Sequence, residues 1–212
     1  MARVRDAAIA QFGEHGFGVG IRTIAQAAGV SAALVIHHFG SKENLRTVCD
    51  DYIAEEIRSS KSASIQSNDP ATWLAQMAAI ESYAPMMAYL VRSMQSGGAL
   101  ANTLWRRMID NVEQYLDEGV RAGTVKPSPD PRARARYVAM NSGGAFLLYL
   151  QMHDTPTDLR AVLHDYAEDM VLPALEIYSN GLMVDSTMYD AFLAQRAKGV
   201  PFSSQGDGDE RQ

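Results

Sequence analysis

The sequence predicts an all-α protein with a small helical head at its N-terminus and a larger helical body behind it. Two observations support this fold class. Apolar residues recur at steps of three and four along most of the 212 residues, and no segment alternates apolar and polar residues as a half-buried strand does. Glycine and proline also interrupt the chain at helix-length intervals, so we expect a series of separate helices.

The composition is that of a folded protein of the cytoplasm. Hydrophobic residues make up 47% of the chain and charged residues 21%, and the single cysteine, Cys49, excludes an internal disulfide. No apolar run approaches the roughly 20 residues needed to cross a bilayer, and no apolar signal segment follows residues 1–6. We therefore expect a cytoplasmic protein with no membrane partner.

The charge is unevenly distributed. The net charge is -6, but residues 1–46 contain five basic and three acidic side chains, so the rest of the chain carries all of the negative excess. A mildly basic head on an acidic body is typical of a nucleic-acid-binding module that is fused to a domain with another task. The head is only weakly basic, so we expect modest non-specific affinity for DNA from one copy.

The head contains two short helices joined by a tight turn. Residues 3–15 are predicted to form a first helix, and residues 21–28 a second one after a glycine-rich loop. Gly29 ends the second helix, and Ser31 stands at the N-cap position of a third. This pattern, at about residues 20–39, is a helix-turn-helix, in which the second of the two helices enters a DNA major groove.

The third helix has an inner face and an outer face. Val35 and Phe39 are four residues apart and should pack in the core of the head. The outward residues are Ala32, Ala33, Ile36 and His37. Ser41 is predicted to cap a fourth helix, which runs from Lys42 to about Ser59.

A composite of short motifs in the head resembles a known family. The motifs are Phe12, Gly16, Ile24-Ala25, Ala28-Gly29-Val30-Ser31, His38-Phe39, Ser41-Lys42-Glu43 and Leu45. In this order and spacing they resemble the DNA-binding head of the TetR (tetracycline-repressor-like) family of bacterial transcription regulators. The resemblance implies a DNA-binding domain at residues 1–55 and an effector-binding and dimerisation domain at residues 56–198. It also implies a ligand-responsive repressor that binds a two-fold DNA operator as a homodimer and releases it when a small effector binds.

The DNA contacts are expected to come from the starts of three helices and from the outer face of the third. The predicted contact residues are Arg22, Thr23, Ser31, Ala32, Ile36, His37, His38 and Lys42. Ser31 and Lys42 stand at helix starts, where phosphates bind. His37 is either a base contact or a solvated side chain, whereas His38 is expected near the core of the head with one nitrogen on a phosphate.

The sequence departs from the family pattern at three positions. Similar proteins usually have a tyrosine at Ile36, which commonly reaches a DNA phosphate, and many have a glycine at Ala33. Gly20 stands where a threonine or serine usually caps the second helix. Ile36 cannot donate a hydrogen bond to phosphate, so it either touches a thymine methyl group or packs within the protein.

The body is predicted to contain several long helices. The polar residues 59–68 form either the end of the fourth helix or a linker. A helix that starts at Asp69-Pro70 and ends at Gly97-Gly98 should be kinked at Pro85, and Pro173 should kink a later one. The remaining helices are expected at residues 99–122, 130–152, 157–179 and 186–197, and residues 199–212 should be a disordered tail.

Residues 137–150 are apolar on nearly every side, so this helix is either buried in the core or packed against a second copy of the chain. Small residues would allow a partner helix to approach closely, and in similar proteins the last two long helices of each subunit form a four-helix bundle across a two-fold axis. The predicted interface residues are Asn141, Gly143, Gly144, Leu148, Tyr166 and Met170.

Methionine and aromatic residues are frequent on the middle helices. Such stripes are usually core, but adaptable methionines also suit a cavity for an apolar ligand, and similar regulators hold their effector inside this domain. We expect a small hydrophobic effector of aromatic or lipid-like character. The predicted pocket residues are Met77, Met87, Trp105, Met108 and Tyr149.

The sequence offers little support for enzyme chemistry. The five histidines include no helical pair at i and i+4 that would suit a metal, and no glycine-rich phosphate loop follows a strand. Asp50 and Asp51 should raise the pKa of the neighbouring Cys49, which we interpret as a packed thiol. We therefore expect no catalytic residue, metal or cofactor. The alternatives are a helical ligand-binding or interaction protein that has lost DNA binding and, less favoured, an all-helical enzyme.

Overall fold

A computed structural model describes residues 1–67 and 69–198, and these residues form ten α-helices and no strand. The helices are α1 (Ala2–His15), α2 (Ile21–Ala27), α3 (Ala32–Phe39), α4 (Lys42–Gln66), α5 (Pro70–Ala78), α6 (Ala84–Ser96), α7 (Gly98–Ala122), α8 (Pro131–Met152), α9 (Leu159–Asn180) and α10 (Thr187–Ala197). The all-α prediction is confirmed. The tail predicted at residues 199–212 lies outside the described residues.

The chain forms two compact units, of which one covers Met1–Glu168 and the other begins at Asp169. The first unit contains the head, the helices α5 to α8 and the start of α9. The second contains the rest of α9 and α10, on which Met188, Tyr189 and Phe192 are exposed. Among the described residues, no helix is both long and apolar enough to span a bilayer.

The core of the head is built from the apolar edges of its four helices. Phe12, Ile24, Val35 and Leu45 contribute side chains that are almost completely buried, and Phe39 is 7% exposed. Burial of side chains of this size stabilises a fold by about 1.5–3 kcal/mol each. The prediction that Val35 and Phe39 anchor the third helix is confirmed.

Two serines cap the N-termini of α3 and α4. The Ser31 hydroxyl oxygen accepts a 3.1 Å hydrogen bond from the Leu34 amide at the start of α3, and Ser41 accepts one of the same length from Asn44 at the start of α4. Both caps were predicted from the sequence. Gly40 joins the two helices with φ of 74°, a left-handed conformation that favours glycine.

The fourth helix is longer than the sequence indicated. It continues to Gln66, so of the two alternatives for the polar residues 59–68, the end of the fourth helix is observed through residue 66 and a linker is not. The serines are accommodated because their hydroxyl groups are bonded within the helix or to its neighbours. Ser64 donates to the carbonyl of Ser60 at 3.1 Å, and Ser62 donates to Glu118 of α7. The domain boundary expected at residue 55 therefore falls inside one continuous helix.

Pro85 separates two helices and does not kink a single one. Between α5 and α6 the chain forms a 3-10 turn at Ile80–Tyr83, and Pro85 lies in the first turn of α6. Proline is tolerated there because the first amide groups of a helix have no partner within the helix. The predicted helices that follow are observed close to their expected bounds, and Pro173 lies inside α9.

The long helices of the body pack side by side. α4 packs against α7, and α7 packs against α8. Asn111 of α7 is buried and donates a 2.8 Å hydrogen bond to the carbonyl of Ala54 in α4, so this polar side chain is satisfied inside the bundle. α6 packs against α1, which brings the body against the head.

Candidate DNA interface and effector cavity

The outer face of α3 presents two histidines and an isoleucine to solvent. Ile36 is 45% exposed, and His37 and His38 are exposed with ring centroids 5.3 Å apart. The expectation that His38 packs near the core is wrong, because the buried face of α3 is centred between Val35 and Phe39 and leaves His38 on the solvent side.

The other predicted DNA contacts also lie on the surface of the head. Arg22 and Thr23 are exposed in the first turn of α2, and Ala32 is half-buried at the start of α3. Ser31 is exposed, and its hydroxyl hydrogen is free to donate because the cap uses only the oxygen as an acceptor.

Lys42 has a structural contact that the sequence did not indicate. Its Nζ donates a 3.0 Å hydrogen bond to the carbonyl of Phe17 in the loop after α1, and the side chain is half-buried. This bond fixes the loop against the start of α4. An ammonium group has three hydrogens, so two remain available to a phosphate.

A buried polar contact joins the head to the body. The hydroxyl of Tyr89, a fully buried residue of α6, donates a 2.6 Å hydrogen bond to Asp50 Oδ1 of α4. Within the head, the guanidinium of Arg46 lies 3.6 Å from the ring centre of Phe17. Burial raises the pKa of Asp50, and the hydrogen bond from Tyr89 opposes that rise. Sequence reasoning missed this pair, since no local pattern links residues so far apart.

A second contact between the head and the body comes from Arg92 of α6. Its Nε and Nη2 donate to the carbonyls of Gly13 and Glu14, each at 3.2 Å, at the end of α1. These carbonyls have no partner further along the helix, so the guanidinium caps α1 from outside. Gly13 itself is buried against Ala88 and Tyr89.

The body contains a cavity of about 270 Å³, lined by residues from α4 through α9. Four of the five predicted pocket residues, Met77, Met87, Trp105 and Met108, line it. Tyr149 does not line the cavity. It follows the last lining residue of α8, Phe146, by nearly one turn and packs against Tyr166 of α9, with ring centroids 5.2 Å apart.

Two residues predicted at the dimer interface face inward. Gly143 lines the cavity, where a Cβ would lie 2.5 Å from Cη2 of Trp105, so the absence of a side chain makes room for the indole. Tyr166 packs against Phe146 and Tyr149. The sequence could not assign these faces, because α8 is apolar on nearly every side.

The other four predicted interface residues are exposed or half-buried. Asn141, Gly144 and Leu148 are exposed on α8, and Leu148 has 59% of its surface exposed. Met170 of α9 is half-buried. The outer face of α8 is thus apolar and uncovered in the single chain.

The cavity wall also contains polar groups that sequence reasoning did not single out. Lys61 of α4 lines it beside Ile57 and Ser60, at helical steps of three and four that would have indicated a shared face. Ser93 of α6 is 2% exposed, and its hydroxyl has no hydrogen-bond partner among the described residues.

The cysteine and the possible metal ligands are two further features of the described residues. Cys49 is fully buried, and burial raises the pKa of its thiol to about 12, as expected for a packed and unreactive cysteine. Within residues 1–67 and 69–198, no group of three or more histidine, cysteine, aspartate or glutamate side chains is placed to hold a metal ion.

The helix-turn-helix head and the helical body define a class of DNA-binding transcription regulators. Residues 4–47 match the family model for bacterial regulatory proteins of the tetR family, and residues 81–184 match the model for the tetracyclin repressor-like C-terminal domain. The chain belongs to the TetR family of transcription regulators, which confirms the resemblance seen in the sequence.

Relatives in two comparisons agree with this assignment. The chain is 74% identical over 198 residues to the HTH-type transcriptional regulatory protein RaaS of Mycobacterium tuberculosis, with 93% of each chain covered. It is 47% identical over 51 residues to the HTH-type transcriptional dual regulator CecR of Shigella flexneri, which covers 24% of this chain and 23% of that one. A TetR-family regulator from Rhodococcus shares the fold, with a TM-score of 0.55, 19% identity, and 79% of this chain and 98% of the other covered.

Proposed function

We propose that this protein binds a two-fold DNA operator as a homodimer, represses transcription, and releases the operator when a small hydrophobic effector enters the body. The observation that carries the proposal is the placement of α3, which Val35 and Phe39 hold in the core while Ile36, His37 and His38 project outward. The head at residues 1–55 would supply the DNA contacts, and the body at residues 56–198 the effector and dimer contacts. Its place of action would be the cytoplasm.

The proposed DNA contacts divide into positioning and specifying groups. Arg22, Thr23, Ser31 and Lys42 stand in first turns or at a cap and would hold phosphates. Ala32, Ile36 and His37 would face the bases, and His38 the backbone. Because few of these outward groups are polar, shape and methyl contacts would carry much of the specificity.

The proposed dimer forms through the outer face of α8. The exposed side chains Tyr137, Met140, Leu148 and Met152 lie at helical spacing on this face, with the small Gly144 among them. Exposed apolar patches of this kind mark interaction sites, and a small residue allows close approach of a partner helix. Two copies related by a two-fold axis would place their α3 helices on successive major grooves.

Two helices would transmit effector binding to the head. α6 lines the cavity with Met87 and contacts the head through Tyr89 and Arg92. α4 begins in the head and lines the cavity with Ile57 and Lys61. An effector that binds one arrangement of these helices more tightly would shift the protein toward it, and only that difference in affinity can change DNA binding.

DNA binding is tested with a labelled duplex from upstream of the protein's own gene, using fluorescence anisotropy at physiological salt. We expect a Kd of about 10⁻⁸ M or tighter, and binding to a scrambled duplex weaker by about 10³-fold or more. Arg22→Ala should weaken binding to both duplexes and reduce its salt dependence, because it removes a phosphate contact. Arg121→Ala, an exposed arginine of α7, is the matched control.

The alternative is a helical ligand-binding or interaction protein that has lost DNA binding, and the apolar Ile36 at the tyrosine position favours it. This alternative predicts equal, weak binding to both duplexes, with no effect of Arg22→Ala beyond that of Arg121→Ala. Such a result would contradict the proposed regulator. An all-helical enzyme has no specific observation in its favour.

A further inference from the structure

Lys61 is the one charged side chain among the described residues that line the cavity. It extends from α4 on the same face as Ile57 and Ser60. No hydrogen bond or ion pair is made by its ammonium group to a described residue, and the residue as a whole is exposed. A cation is therefore held at a cavity wall without a counter-charge.

Three carboxylates of α4 and α7 are already engaged elsewhere, and the first of them, Glu56, bonds to Tyr52. Glu55 pairs with Arg58 at 2.6 Å, and Glu118 of α7 accepts from Ser62 and Gln66 and lies 3.7 Å from Arg58. Desolvation by the surrounding protein atoms lowers the pKa of Lys61. An unpaired cation in such surroundings is unfavourable, and an anion placed beside it would offset the desolvation.

The rest of the wall is predominantly apolar. Five methionines contribute to it, namely Met77, Met86, Met87, Met94 and Met108. The lining of α6 extends from the turn at Tyr83 to Met94, which corresponds to about 16 Å along the helix at 1.5 Å per residue. The cavity is thus long enough for a chain-like ligand, and methionines adapt to such chains.

Polar groups of the cavity wall are found at the residue next to Lys61. Ser60, the neighbour of Lys61, has its Oγ 3.4 Å from the hydroxyl of Tyr83, and its carbonyl accepts from Gln76. Met94 and Leu104 of the wall pack with the core of the head. A ligand with an anionic group and an apolar chain would therefore match the cation and the apolar residues of the cavity wall.

We propose that the effector is an amphiphile with a carboxylate head group, which Lys61 binds as an ion pair while the apolar chain extends along the methionines toward the head. This inference rests on the proposed function, since it assumes that the cavity holds the effector. Lys61 would determine specificity, because a neutral or cationic head group would leave its ammonium unpaired or repelled.

The experiment uses the full-length protein and three probes with the same twelve-carbon chain: dodecanoate, dodecanol and dodecyltrimethylammonium, all below their micelle concentrations. Binding is measured by calorimetry and by intrinsic tryptophan fluorescence, to which Trp105 of the cavity wall contributes. We expect dodecanoate to bind at least tenfold more tightly than dodecanol, and the cationic probe to bind most weakly. Lys61→Met should reduce dodecanoate binding to the dodecanol level, and Lys61→Arg should retain it.

Lys126→Met is the matched control, because Lys126 is exposed in the loop before α8, and it should leave all three affinities unchanged. Equal binding of the three probes, no binding by any of them, or dodecanoate binding that is unaffected by Lys61→Met would each overturn the inference. A circular-dichroism melt of each variant verifies that it is folded.

Failure of the proposed function has a different signature. If dodecanoate binds in a Lys61-dependent manner but leaves operator affinity unchanged, the ligand response of the proposed function is contradicted and the carboxylate site stands. If dodecanol releases the operator as well as dodecanoate does, the regulator stands and the carboxylate preference is contradicted.

Discussion

The hydroxyl of Tyr89 on α6 donates a 2.6 Å hydrogen bond to Oδ1 of Asp50 on α4, and both residues are buried where the body meets the head. The ring of Tyr89 also packs edge-on against Phe17, with centroids 5.2 Å apart. Both α6 and α4 contribute residues to the cavity wall. The hydrogen bond between Tyr89 and Asp50 therefore connects both of these helices to the core of the head.

Replacement of Tyr89 by phenylalanine should destabilise the protein by about 1–3 kcal/mol, because the buried carboxylate of Asp50 loses its donor. Urea denaturation measures the change, and Tyr189→Phe, at an exposed tyrosine of α10, should have almost no effect.

The effect of Tyr89→Phe should depend on pH. Burial raises the pKa of Asp50, so protonated Asp50 favours the fold, and this contribution is lost as the pH rises from the ordinary value of 3.8 through the folded pKa. Tyr89 opposes the loss by stabilising the carboxylate. The difference between wild type and Tyr89→Phe should therefore be larger at pH 7 than at pH 4. An equal difference at both pH values would contradict this account of the pair.

Gly13→Ala should loosen the contact between α1 and α6. A Cβ there would lie 2.8 Å from Cβ of Ala88 and 3.0 Å from the backbone nitrogen of Tyr89, which cannot move independently. The overpacking should outweigh the helix propensity gained, with a net loss of about 1 kcal/mol in the free energy of unfolding. Gly18→Ala, which meets nothing within 4 Å, is the control. A Gly13→Ala variant as stable as this control would show that the contact is loose.

Leu148→Glu should dissociate the proposed dimer, because it places a charge on the apolar outer face of α8. Sedimentation velocity at micromolar concentration should show a dimer for the wild type and a monomer for this variant. Leu74→Glu introduces the same charge at an exposed leucine of α5 and should remain dimeric. A monomeric wild type would refute the proposed interface.

Lys61→Met should stabilise the ligand-free protein, because it removes an unpaired ammonium from the cavity wall. The folded pKa of Lys61 lies below its ordinary value of 10.5, so the destabilising effect of the charge is fully present below the folded pKa and disappears as the pH rises past 10.5. The melting temperature of Lys61→Met should thus exceed that of wild type at neutral pH, and the difference should shrink toward pH 10.5. A variant that melts lower than wild type at neutral pH would contradict the desolvation of Lys61.

Ile36→Tyr should tighten operator binding by about 1 kcal/mol, or roughly fivefold, because it supplies the hydroxyl that similar proteins direct at a phosphate. Anisotropy titrations at several salt concentrations measure the gain, and Leu34→Tyr, at another exposed position of α3, is the control. Equal effects of the two substitutions would indicate that a tyrosine hydroxyl at position 36 does not reach a DNA phosphate.

The sequence predicted the features of the head that depend on neighbouring residues, namely the helix caps and the buried face of α3. The caps at Ser31 and Ser41 and the buried pair Val35 and Phe39 follow from helix-end chemistry and a period of 3.6 residues. The bond between Tyr89 and Asp50 could not be predicted, because it depends on how α6 meets α4 in three dimensions.

In the body, the sequence predicted some of the cavity residues and missed others. Four methionine and tryptophan positions of the cavity were found by composition, but Gly143 was assigned to the wrong face because an all-round apolar helix has no periodicity to orient it. Lys61 was overlooked because it lies in a polar stretch that resembled a linker, and only the continuation of α4 to Gln66 places it in the cavity wall.

The most direct test of the central claim is selection of genomic DNA fragments by the purified full-length protein, followed by sequencing and footprinting. The account predicts that enriched fragments share an inverted repeat, with half-sites centred about 10 base pairs or a multiple of that apart, and that protection covers both half-sites. Enrichment with no shared motif, or with a single unpaired site, would contradict a dimeric operator-binding regulator.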